Sequence, residues 1–289
     1  MLWLIFALLT AVFNSLKDLF SKRSLLRDVH PYLAAWSHNV FALVLLIPTL
    51  WVDGIPNIHP PFWRAFVVSG FCNVLAIILY MKALHASDLS LAAPMITFTP
   101  LFLLLTAPLV VGEFPTRTGL MGVLLIVSGA YLLNRQPGRD IGAPLRAIVS
   151  DPGCRWMLLV AILFSISATF DKVGVQNSSP VFWSTSISIL MGLAIFPLTF
   201  RTGSIRQLTQ PYYLTLLIPI GVLSGLTLIC QMSAIQLTLV AYVISIKRAS
   251  VILSVLYGGL ILGEKGLKQR LVGAVIMVAG VILITLSTQ

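Results

Sequence analysis

The chain has 289 residues, of which 58% are hydrophobic and only 10% charged, and its mean hydropathy is +0.97. That much apolar surface cannot be hidden in one soluble core, so the composition describes an integral membrane protein and excludes a soluble globular domain. The net charge of +10 would suggest nucleic acid in a soluble chain; here its distribution along the joints reports orientation instead, and no nucleic-acid partner is expected.

A spanning helix takes about 20 mostly apolar residues, and ten such stretches follow one another, separated by short polar joints. They run Leu2 to Lys22, Tyr32 to Trp51, Phe62 to Leu84, Leu89 to Val111, Thr116 to Asn134, Trp156 to Lys172, Val181 to Phe200, Tyr212 to Ile235, Leu239 to Gly263, and Leu267 to Thr288. Continuous runs such as Met121 to Leu133 do not alternate, so helices are expected and barrel strands are not. Met1 leads straight into an apolar segment with no basic region before it, so the first stretch reads as a retained helix.

The first segment carries Thr10, Asn14, Lys17, Asp18 and Ser21 at steps of three or four, and the sixth carries Ser165, Thr169 and Lys172 in the same way. Such stripes line wet space or form a polar seam between helices. Lys17 and Asp18 are adjacent, so they point differently and need not pair. Pro94, Pro100 and Pro108 interrupt the fourth segment, which gives kinks or a binding hinge. Gly221 and Gly225 in the eighth segment make a small-residue face for close helix approach. Trp3, Trp51, Trp63, Trp156 and Trp183 fall near segment ends and read as interfacial anchors. Cys72, Cys154 and Cys230 are too scattered for a disulfide framework and read as packing residues.

Basic residues crowd alternate joints: Arg23 and Arg27, Lys82, the Arg135 to Arg155 connection, Arg201 with Arg206, and Lys265 with Lys268 and Arg270. The opposite joints hold little beyond Arg64 and Arg117. The positive-inside rule then puts the crowded joints in the cytoplasm and both termini outside, in a bacterial-type plasma (inner) membrane.

Residues 136–155 hold Pro137, Gly138, Gly142, Pro144, Pro152 and Gly153, the composition of a cytoplasmic linker between a first five-helix repeat, 1–135, and a second, 156–289. A shift of 151 (264 − 113) pairs Gly112-Glu113 with Gly263-Glu264, Met81 with Met232, Ala83 with Ala234, Gly122 with Gly273, and Gly129 with Gly280. Five is odd, so the second repeat must be inverted relative to the first, an arrangement with which transporters build a site that opens to alternate sides. The expected fold is therefore all-α: a polytopic membrane protein of ten transmembrane helices in two inverted five-helix repeats.

A charge near the middle of a spanning helix costs at least roughly 2.5 to 3.5 kcal/mol, and Lys247-Arg248 lies near the centre of the ninth segment with no acid in that segment before Glu264. An anionic substrate would neutralise both, Arg248 gripping two oxygens and Lys247 adding a point charge. A salt bridge to Asp18, Asp88 or Asp171, or snorkelling, would satisfy the pair otherwise. The candidate substrate-binding set is Lys247, Arg248, Asn14, Lys17, Tyr80, Gln231, Ser245 and Tyr242; Tyr80 and Gln231 are equivalent under the shift, as are Asn73 and Ser224. Asp18, Asp171, Lys172 and His38 are candidate coupling positions. No zinc motif, phosphate loop or nucleophile elbow is present, and His30, His38, His59 and His85 lack ligand spacing, so neither an enzyme nor a metal or cofactor is expected.

Two five-helix halves ending in Gly-Glu, each followed by the spacing Gly122 to Gly129 or Gly273 to Gly280, resemble the EamA-type branch of the drug/metabolite transporter superfamily over nearly the whole chain. Ser15, Phe20 and Lys22, against Ser165, Phe170 and Lys172, look like the family's first-helix pattern occurring once per half. The resemblance implies a ten-helix secondary transporter with a central cavity, moving small metabolites by alternating access without hydrolysing ATP. The Lys247-Arg248 pair looks like the basic pair of the plastid sugar-phosphate translocators, which grips phosphate; the matching first-half positions, Ile96 and Thr97, are uncharged. Many family members are expected to have cytoplasmic termini, whereas the charges here argue for outside termini. The expected partners are a small-molecule substrate, anionic or phosphorylated, and the lipid bilayer. The alternatives are a proton-coupled exporter of amino acids or amphipathic metabolites, and a flippase for a phosphate-headed lipid.

Overall fold

A computed structural model describes residues 1–86, 92–133, 142–253 and 267–287, and among them every regular element is helical. In chain order these are α1 (Leu2–Leu25), α2 (Pro31–Val40), α3 (Leu43–Asp53), α4 (Pro61–Ala86), a 3-10 turn (Ala93–Phe98) leading into α5 (Thr99–Val111), α6 (Arg117–Leu133), α7 (Ala143–Ser150), α8 (Pro152–Gln176), α9 (Pro180–Arg201), a 3-10 turn (Ser204–Thr209), α10 (Pro211–Leu237), α11 (Val240–Arg248) and α12 (Leu267–Leu286). Among the described residues seven stretches are long and apolar enough to span a membrane, α2 with α3 counting as one, and Arg117–Leu133 and Val272–Leu286 are shorter apolar helices. The protein is thus an integral, multi-pass membrane protein. Prolines 31, 61, 152, 180 and 211 each open a helix, where a missing N–H leaves no helical bond unmade.

Two boundaries differ from the sequence reading. The connection expected as a plain linker contains α7, whose Ala147 is buried while Val149 is exposed. The ninth segment, expected as one helix from Leu239 to Gly263, stops at Arg248, turns at Ala249 and resumes over 250–253. Gly263-Glu264 and Asp88 lie outside the described residues.

The chain packs as two compact units, Met1–Gly70 with Asp171–Leu237, and Phe71–Phe170 with Thr238–Gln289, so each unit draws on both halves of the sequence. In the first unit, α1 makes its principal contact with α10. Gly221 and Gly225 of α10 receive the break between α2 and α3: a Cβ on Gly221 would lie 2.7 Å from the Phe41 carbonyl carbon, and one on Gly225 3.2 Å from the Ala42 oxygen. The small-residue face is therefore a packing surface, as its spacing suggested. Trp183 corrects another expectation. It is fully buried, edge-on to Phe62 and Phe66 and seated over Gly174, so it is a core residue and not an interfacial anchor; Trp51 and Trp63 are exposed. The three cysteines are buried free thiols, in keeping with a packing role.

In the second unit, α6 and α12 make the dominant contact. A Cβ on Gly122 would lie 2.7 Å from the Gly280 oxygen, and one on Gly280 2.6 Å from the Gly122 oxygen; Gly129 and Gly273 are related in the same way at 2.6 and 2.7 Å. As the position rises on one helix it falls on the other, so the two run antiparallel. Each glycine also faces the shift-partner of the other, since 280 is 129 + 151 and 273 is 122 + 151. This is the self-complementary contact of a local two-fold axis, closed by backbones that only glycine allows to approach this far.

Gly129→Val puts carbon against a backbone oxygen that no rotamer change can move, and should cost about 1–3 kcal/mol. Thermal unfolding in detergent should show a clear loss, whereas Gly192→Ala, whose nearest neighbour is a Val40 methyl at 2.9 Å, should lose less.

Candidate functional site

The site is built on the fourth segment of each repeat. In an unbroken helix the N–H of residue 100 would donate to the Ile96 carbonyl, but Pro100 has none. That oxygen instead accepts the Thr99 N–H and the Thr99 hydroxyl, the latter at 2.8 Å. The Thr97 hydroxyl likewise donates to the Pro94 carbonyl at 2.6 Å. Both threonines are buried, so the break satisfies its own backbone, as apolar surroundings require.

The second repeat breaks at the same place. Ala249, where α11 ends, is equivalent to Phe98 (98 + 151), and its N–H returns to Ile246 by a short i−3 bond of 2.9 Å. No proline lies between Val240 and Leu253; Pro94 and Pro100 are matched by Ser245 and Val251. Lys247 and Arg248 consequently occupy the last turn of α11, where the helix dipole favours cations. The two breaks meet: Arg248 Nη2 donates to Thr99 Oγ1 at 3.0 Å.

The other end of α11 is held by the Gly-Glu motif. Gly112 takes the left-handed conformation (φ +69°) that ends α5. Glu113 then reaches across, its Oε2 accepting the Val240 N–H at 2.8 Å, so a carboxylate of one repeat caps a helix of the other. Tyr242 reinforces the contact, its hydroxyl accepting the Thr116 N–H at 3.2 Å while its ring lies against Gly119.

The remaining candidates are divided between the units. With Lys247 and Arg248 in the second unit are Ser245, buried and donating to the Ala241 carbonyl at 2.6 Å, and Tyr242, buried by the contact just described. Tyr80 packs against the cluster around Ala76, Met95 and Tyr131. Asn73 donates to Ser167 at 2.7 Å, and the hydroxyls of Thr106 and Thr169 lie 3.1 Å apart. Thr169 of the sixth segment's stripe thus takes part in a polar contact between helices, as does Ser167, which lies outside the stripe. In the first unit, Lys17 and Asp18 form an ion pair of 3.3 Å, which their adjacency did not require. Asn14, one turn earlier, bridges them: Lys17 donates to its Oδ1 and its Nδ2 donates to Asp18 Oδ2, each at 3.0 Å. Asp171 is buried and accepts Ser69 Oγ–H at 2.6 Å and Trp183 Nε1–H at 3.2 Å. Lys172 and Gln231 are buried, and His38 is half-buried. Among the described residues no group of three or more His, Cys, Asp and Glu could hold a metal ion.

Thr99 and Glu113 were not among the sequence candidates. The signal for Thr99 was a hydroxyl placed directly before a helix-breaking proline; for Glu113 it was recurrence at a helix end.

Long apolar helices, a repeated sequence and matched interior breaks define a membrane transporter. The sequence profile of the EamA-like transporter family matches residues 1–135 and again 151–286, and the chain belongs to this family of the drug/metabolite transporter superfamily. Its members are transporters and not enzymes. A solved structure described only as "Crystal structure of protein" has the same fold, with a TM-score of 0.76 at 15% identity over 98% of this chain and 96% of its own. No curated protein matches the sequence.

Removing the cap with Glu113→Ala should lower stability by about 0.5–2 kcal/mol. Glu113→Gln, which keeps an acceptor oxygen, should retain most of it when the two are compared by thermal unfolding.

Proposed function

We propose that this chain is a secondary active transporter for a small organic anion, such as a phosphorylated metabolite, working by alternating access. In this reading ten transmembrane helices form two inverted five-helix repeats, 1–135 and 156–289, joined by a cytoplasmic linker, 136–155, with both termini outside a plasma membrane. The observation that carries it is the position of Arg248: a guanidinium within a membrane-embedded helix unit, at the meeting point of two equivalent helix breaks. Broken helices at repeat-related positions are where membrane transporters bind substrate. The planar fork of Arg248 matches two oxygens of a phosphate or carboxylate, and Lys247 adds a second charge on a neighbouring face of the helix.

A proton-coupled exporter is the second reading, and the surroundings of Asp171 favour it. This carboxylate is buried and accepts hydrogen bonds from Ser69 and Trp183, and intramembrane acids commonly serve as proton carriers.

In proteoliposomes, Arg248→Gln should reduce anion uptake by roughly tenfold to a hundredfold, the loss of one charge-assisted contact of about 1.5–3 kcal/mol. A screen of phosphorylated and carboxylated metabolites should find one that raises the melting temperature of the wild type and not of the variant. Normal uptake by Arg248→Gln would overturn the anion reading. Flux that needs a pH gradient, survives Arg248→Gln and is lost in Asp171→Asn would establish the second.

A further inference from the structure

We infer that Thr99 is a positioning residue for Arg248, and that Pro100 makes it one. The inference rests on the reading above, in which Arg248 meets the substrate anion. A threonine hydroxyl has one proton to donate and two lone pairs to accept with. Here the proton is committed to the Ile96 carbonyl at 2.8 Å, an acceptor left available because Pro100 has no N–H to give it. The oxygen therefore turns its lone pairs outward, and Arg248 Nη2 lies on them at 3.0 Å. Thr99 is buried, which fixes this orientation against competition from water.

The acceptor is neutral, and that decides what the contact does. A carboxylate at this position would orient the guanidinium but also cancel its charge. A hydroxyl orients it without itself cancelling any of that charge. Arginine has a long, rotatable side chain, so a fixed point at Nη2 helps to set the plane in which the fork is presented. The equivalent position in the second repeat is Ser250 (99 + 151), also a buried hydroxyl.

The test separates this role from the binding reading. Guanidinium nitrogen resonances of 15N-arginine-labelled protein report positioning directly, and the Arg248 signals are assigned by their absence in Arg248→Gln. Hindered rotation should resolve the two Nη signals in the wild type and in Thr99→Ser, and merge them in Thr99→Val. Titration with inorganic phosphate should show binding at least about tenfold weaker in Thr99→Val and within about twofold of wild type in Thr99→Ser. Nη signals of Arg248 that stay resolved in Thr99→Val, or that Thr99→Ser fails to restore, would overturn the positioning role whatever the phosphate result. Resonances that respond as expected while phosphate binding ignores both Thr99→Val and Arg248→Gln would keep the positioning role and remove the anion reading.

Discussion

Four glycines set the geometry on which the rest of the second unit depends. Each of Gly122, Gly129, Gly273 and Gly280 holds a backbone oxygen where the Cβ of the facing residue would otherwise be. A helix pair in lipid gains little from the hydrophobic effect, because the alternative surroundings are equally apolar. Close backbone packing must supply the association, and the reciprocal pairing of 122 with 280 and 129 with 273 fixes register and direction together. In this helix pair the sequence shift of 151 residues thereby becomes a spatial relation, equivalent glycines being turned over across an axis.

The same relation organises the chemistry. Inside a bilayer each backbone group must find a partner within the protein. At the first break, Thr97 and Thr99 return their hydroxyls to carbonyls of their own segment. At the second, a short bond from Ala249 to Ile246 closes the turn. Between them α11 is held at both ends by the first repeat, by Glu113 at Val240 and by Thr99 at Arg248. Gly112-Glu113 is thus a mechanical support of the candidate site. It ends one helix with a left-handed glycine and starts another with a carboxylate, and the cationic turn of α11 lies two turns beyond that fixed point.

Much of the fold could be read from residue types because lipid leaves few choices. Uninterrupted apolar runs had to be helices, and the small-residue spacing of Gly221 and Gly225 called for a closely packed neighbour. What escaped the reading depends on contacts distant in sequence. Val240 to Leu253 carries no proline, so the turn at Ala249 had no local signal. Lys17 and Asp18 pair despite their adjacency because Asn14 stands one turn back and bonds to both. Trp183 lies near a segment end by number, yet Phe62, Phe66 and Gly174 close over its ring. Of the site, the cation pair was legible as an anomaly of composition, while its acceptor Thr99, 149 residues away, was not.

The central claim is that the fifth segments of the two repeats lie antiparallel about a local two-fold axis, and distances between spin labels test it most directly. In a background lacking Cys72, Cys154 and Cys230, labels go at Leu120, Leu286 and Val272, all exposed. The register of Gly122 with Gly280 puts Leu120 opposite Ile282, so that Leu286, four residues on (286 − 282), is offset by about 6 Å along α12 and Val272, ten residues back (282 − 272), by about 15 Å in the other direction. The account predicts a 120–286 distance that is clearly shorter than the 120–272 distance. Equal distances, or the reverse order, would contradict it.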